Sequence, residues 1–118
     1  MPHLFNLLVA IGVALFLATT AVADTISPKE TSQYVGAQAT VVGVVSQVST
    51  SSGGTTFINF GGRYPNHVFY AVIFKKHASK FQNVHSLKGK AVAIAGPIEL
   101  YKGKPQIIVS SPGQIALR

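Results

Sequence analysis

The sequence has no cysteine, no tryptophan and only three acidic residues among 118. Without cysteine there is no disulfide framework, no thiol for lipid attachment and no thiolate zinc site, so stability has to come from packing. The shortage of acids bears on catalysis. General acid–base chemistry needs a carboxylate or imidazole held beside a partner, and Asp24, Glu30 and Glu99 are scattered singly. Past the N-terminal segment the histidines are His67, His77 and His85, in a loop and a helical stretch. His77 and His85 stand more than two helical turns apart, too far to share one metal. Ser52-Gly53-Gly54 lacks the lysine and hydroxyl of a phosphate-cradling loop. The sequence thus predicts no enzyme, no metal site and no cofactor. The same shortage leaves ten lysines and arginines uncompensated, for a net charge of +7. That field attracts phosphate, anionic lipid or acidic glycan whatever the fold.

What is present first is an apolar run from Leu7 to Ala18, followed by Thr19, Thr20 and Ala21-Val22-Ala23. This is the pattern of a signal peptide over residues 1–23, cleaved after Ala23. Leu4 to Ala23 is also just long enough for an uncleaved anchor. The expectation is export, to the periplasm or medium, with no membrane span after cleavage. Every lysine and arginine falls in the 95 residues that remain, a length that suits one domain.

That domain reads as strands punctuated by turns. Ser27-Pro28-Lys29-Glu30 predicts a short helix with a capping box, stopped at Gly36. Ala37 to Thr50 reads as a long first strand, valine-rich on both alternations, with Gly43 marking a bend that lets it serve two sheets. Thr55 to Phe60, Val68 to Phe74, Ala91 to Ile98 and Gln106 to Ser110 are the other four strands. Between the third and fourth, Lys75 to Leu87 has the spacing of a short amphipathic helix. The expected core is Val42, Val44, Ile58, Phe60, Val92, Ile94, Ile107 and Val109. The order, all-β with short helices and an inner helix after the third strand, is that of a five-stranded OB-fold Greek-key barrel.

Gly43-Val44-Val45, Gly53 to Phe60, Ala71 to Phe74, Gly89-Lys90, Val92 to Ile98 and Tyr101-Lys102-Gly103-Lys104-Pro105-Gln106-Ile107-Ile108-Val109 also carry a resemblance. Together they resemble the OB-fold nucleic-acid-binding domains of the tRNA-anticodon-binding type, in a small exported bacterial form. The resemblance implies a ligand face across the second and third strands, flanked by the loops after the first and fourth.

On that face, strand period two sets Phe57 and Asn59 opposite Ile58 and Phe60. The resemblance implies a stacking aromatic at Phe57. Arg63 and Tyr64 in one loop, and Tyr101, Lys102 and Lys104 in another, interleave bases with aromatics, the pairing by which single strands are held. The third strand offers no Glu, Gln or Arg to read base edges. The expected function is non-sequence-specific binding of single-stranded DNA or RNA by a monomer, through Phe57, Asn59, Arg63, Tyr64, Tyr101, Lys102 and Lys104. The alternatives are a cell-envelope module that binds protein or anionic glycan through the same groove, and a purely electrostatic coat on anionic polymers.

Overall fold

The computed structural model describes residues 24–118. The expected signal peptide lies outside the described residues. Eight strands form: β1 (Asp24–Ile26), β2 (Gln38–Thr50), β3 (Thr56–Phe60), β4 (Phe69–Ile73), β5 (Ala91–Pro97), β6 (Glu99–Tyr101), β7 (Lys104–Ile108) and β8 (Ile115–Leu117). They make one sheet in the order β6-β7-β4-β3-β2-β5-β8, with β1 parallel to β2. β4 and β7 also pair in parallel, and the remaining ladders are antiparallel.

This corrects the expectation of five strands, since eight form. The hydrogen-bonded ladder is open, with β6 and β8 at its ends. β5 and β6 are separated by Ile98 alone, so the chain passes directly from one side of the sheet to the other. The additional strands β1, β6 and β8 are three residues each, too short for an alternation of apolar and polar residues to show.

β2 pairs with β5 through residues 38–44 and with β3 through residues 45–50. The switch is made at a bulge around Ser46, where Val45 pairs with Phe60 and Gln47 with Asn59. The inward residues before the bulge are Ala39, Val41 and Val45, all buried, while Val44 is 58% exposed and Val42 half-buried. Val42 and Val44 are therefore not the core pair. Gly43 fixes the register: a Cβ there would lie 2.7 Å from Pro28 Cγ and 3.3 Å from the Phe60 ring, so residue 43 faces inward with no room for a side chain. The other six expected core residues, Ile58, Phe60, Val92, Ile94, Ile107 and Val109, are fully buried.

The element seated on Gly43 is a 3-10 helix, Pro28–Gln33. Its start is closed as a capping box, Ser27 N–H donating to Glu30 Oε1 at 2.9 Å. Those hydrogen bonds from Ser27 hold the Glu30 carboxyl below its ordinary value. The chain reverses at Gly36, whose φ of +91° suits glycine. The expected helix over Lys75–Leu87 is instead two 3-10 helices, Lys75–Lys80 and Val84–Leu87. Phe81, Gln82 and Asn83 separate them, and the Asn83 carbonyl accepts the Ser86 hydroxyl at 2.6 Å, a local bond that competes with an α-helical ladder. Among the described residues no helix is long and apolar enough to cross a membrane.

Candidate ligand groove

Ile58 and Phe60 fill the core, which turns Phe57 and Asn59 to the other face of β3. The register sets Asn59 beside Gln47 of β2 and Tyr70 of β4, and Tyr70 beside Gln106 of β7. The result is a polar row across four strands. Asn59 Nδ2 donates to Gln47 Oε1 at 2.9 Å, and the Tyr70 hydroxyl donates to Gln106 Oε1 at 2.6 Å. Asn59, Tyr70 and Gln106 are all buried. Burial first, and then Tyr101, push the Tyr70 phenol above its ordinary value, so it stays a donor.

Two loops wall this floor. The one between β3 and β4 is anchored by Gly62 N–H to Ser46 Oγ at 3.1 Å and by Tyr64 N–H to Gln47 Oε1 at 2.8 Å. The Lys104 ammonium donates to the carbonyls of Pro65, at 2.7 Å, and of His67. The second wall is the β6–β7 hairpin, whose central residues Lys102 and Gly103 have φ of +49° and +82°, the signs of a type I′ turn. The turn sets the Lys102 ammonium 5.4 Å from the centroid of the Tyr101 ring.

Between the walls lies a groove of about 380 Å³. Phe57, Asn59, Tyr64, Tyr101, Lys102 and Lys104 line it, and Arg63 is exposed outside it. Of the six, Asn59 is buried and tied to Gln47, and Lys104 serves as a strap on the loop. Phe57 is half-buried, while Tyr64 and Tyr101 stand 73% and 52% exposed. Lys102 is the remaining cation of the lining, its ammonium beside the Tyr101 ring.

Ser49, Pro65, His67 and Tyr70 also line the groove and were not singled out as site residues in the sequence. Tyr70 was visible as an aromatic at period two from Val68 and Val72, opposite Asn59. His67, read as a loop histidine, is only 6% exposed. Its ring stands edge-on to Tyr70 at 5.5 Å and stacked on Tyr64 at 5.8 Å, while Phe57 and Tyr70 lie 5.9 Å apart. Four rings therefore form a continuous chain, Phe57, Tyr70, His67 and Tyr64. Burial, and then the Lys104 charge, hold the His67 imidazole below its ordinary value, so it is neutral at pH near 7. His77 and His85 lie elsewhere, beside Lys80 and Thr50.

No family model matches the chain, and no curated protein does. Solved structures do. An OBody bound to hen egg-white lysozyme aligns with a TM-score of 0.59 at 18% identity, covering 85% of this chain and 98% of that one. The likeness is one of fold. A putative aspartyl-tRNA synthetase from Leishmania major Friedlin aligns with a TM-score of 0.55 at 11% identity, over 85% of this chain and 21% of that one. The chain thus spans about a fifth of the synthetase. These OB-like neighbours meet the resemblance read from the sequence at the level of architecture, in a β-rich chain with short helices.

Proposed function

We propose that this chain is an exported OB-fold module that binds single-stranded nucleic acid without reading its sequence. In this reading β2, β3, β4, the continuous β5–β6 and β7 are the five barrel strands, and β1 and β8 are additions. The observation that carries the function is the groove's chain of four rings, with Tyr101 and Lys102 on the hairpin wall. Every base has a face to stack, and each stacked base contributes about 1–3 kcal/mol, so such a surface is tolerant of sequence. The occupied state of Lys104 and the position of Arg63 outside the groove move the balance from charge toward stacking.

The test is fluorescence anisotropy of labelled single-stranded oligonucleotides across a salt series. With roughly two phosphates neutralised at a slope near −0.7 each, a fourfold rise in salt weakens binding about sevenfold. Tyr101→Ala lowers affinity at least about fivefold with the slope nearly unchanged. Lys102→Ala removes about one contact from the slope. Absence of binding at low salt overturns the proposal.

One observation favours a second reading, a cell-envelope module for protein or glycan: the OBody neighbour, on the same architecture, is bound to a protein. A partner held in that way binds with little dependence on salt and is not displaced by oligonucleotide.

A further inference from the structure

His67 Nδ1 is buried and has no hydrogen-bond partner among the described residues. Buried polar atoms are nearly always paired, so an unpaired one in the wall of a groove marks a position that a ligand completes. The surroundings support this. His67 is 94% buried, as its 6% exposure states, yet it lines the groove, and the ring stacked on it is that of Tyr64. Tyr64 is the most exposed large apolar side chain among the described residues, and its backbone is held by Gln47. A ligand therefore reaches His67 by turning aside one loop-tip side chain, with the loop itself in place.

We propose that His67 Nδ1 is a hydrogen-bond acceptor for the amino group of a nucleobase, giving the groove a preference for amino-bearing bases over uracil and thymine. The inference rests on the nucleic-acid reading above and sharpens it, since stacking alone would be indifferent to the base edge. A neutral imidazole has one acceptor and one donor nitrogen, and the groups that face the ring leave it neutral: the Lys104 ammonium from β7, the Tyr70 phenol from β4 and the Tyr64 ring from its own loop. The amide oxygens of Gln47 and Gln106 are already engaged, the first by Asn59 and the Tyr64 N–H and the second by Tyr70. The amino group of cytosine donates at the place where uracil presents an acceptor oxygen. No acceptor beside Nδ1 holds a proton there, so uracil on the same stacking surface sets oxygen against a lone pair and pairs only after the imidazole proton moves to Nδ1, a cost that cytosine does not incur.

The experiment compares oligodeoxycytidine with oligodeoxyuridine, each of about twelve nucleotides, a length within the range one such fold covers. The two have the same charge and length, and binding is measured near neutral pH. Wild-type protein binds the cytidine oligomer about tenfold more tightly. His67→Phe keeps a ring to stack and abolishes the preference, so that the two oligomers bind the variant equally whatever their common affinity. His67→Asn, which sets an amide oxygen near the place of Nδ1, retains part of the preference and covers the case in which the phenylalanine variant fails to fold. A purely structural role for His67 would change both affinities together. Equal binding of the two oligomers by wild-type protein, or a preference that survives in His67→Phe, overturns the inference and leaves the nucleic-acid reading standing. Failure of either oligomer to bind overturns both.

Discussion

Two concavities of similar size among the described residues are built in opposite ways. The groove, about 380 Å³, is floored by paired strands and walled by two anchored loops. The other, about 410 Å³, lies among the 3-10 helices and β8, between Phe81, Val84, Leu87 and Ile115. The floor of the first is a row of hydrogen-bonded polar groups, and its wall holds one unpaired nitrogen. The second has neither, and its apolar side chains are only partly buried against the core. The charge divides in the reverse sense: Lys75, Lys76, Lys80, Lys88 and Lys90, half of the ten bases, belong to the turn-built side. Basic residues that crowd a sequence segment need not lie where the rings are, and binding chemistry follows the place where groups are held.

The largest test of this contrast is truncation beneath each concavity. Ile58→Ala, under the groove floor, should destabilise by ~2–5 kcal/mol, and Phe81→Ala, in the turn-built cleft, by under ~2 kcal/mol, read as shifts in denaturant midpoint. Equal losses would mean that the cleft is core and the distinction false. Next in size is Tyr70→Phe, which leaves the buried Gln106 oxygen without its donor. The expected cost is about 1–3 kcal/mol, with weaker ligand binding beside it. An unchanged midpoint would show that the polar row does not hold the floor.

The smallest effect belongs to Glu30, in the first 3-10 helix and outside both concavities. Its carboxyl sits below the ordinary 4.5 because Ser27 donates to the charged form, so the unfolded chain takes up a proton at higher pH than the folded one. The contribution is complete above 4.5, constant through neutral pH, and fades as pH falls below that value toward the lowered one. Glu30→Gln should therefore flatten a slight acid-side loss of stability and leave the neutral midpoint almost where it was.

Much of this architecture is legible in the sequence because single residues carry it. Ser27, Pro28, Glu30 and Gly36 spell the first 3-10 helix, and alternation in β3 divides Phe57 and Asn59 from Ile58 and Phe60. β2 was illegible for a definite reason. Valine stands on both of its faces, so periodicity cannot choose between Val41 with Val45 and Val42 with Val44. The choice is made by contact of Gly43 with Pro28, and the bulge at Ser46 then reverses the alternation. The groove divides similarly. Aromatic and basic residues could be read from their loops, but not that Lys104 turns back to carbonyls of the opposite loop, or that His67 is buried among rings. The first depends on the β4–β7 pairing, which joins segments some 35 residues apart. Local pattern does not encode such a contact.

The strap made by Lys104 bears on how fast the groove fills. By donating to Pro65 and His67 it holds the β3–β4 loop in place before any ligand arrives. The entropy of ordering that loop, on the order of 0.5–1.5 kcal/mol per immobilised side chain, is lost during folding and not during encounter. Association then needs no slow loop closure: its observed rate should rise in proportion to ligand concentration without reaching a plateau. Changes to the groove's rings should appear as altered residence times, with the rate of capture nearly constant.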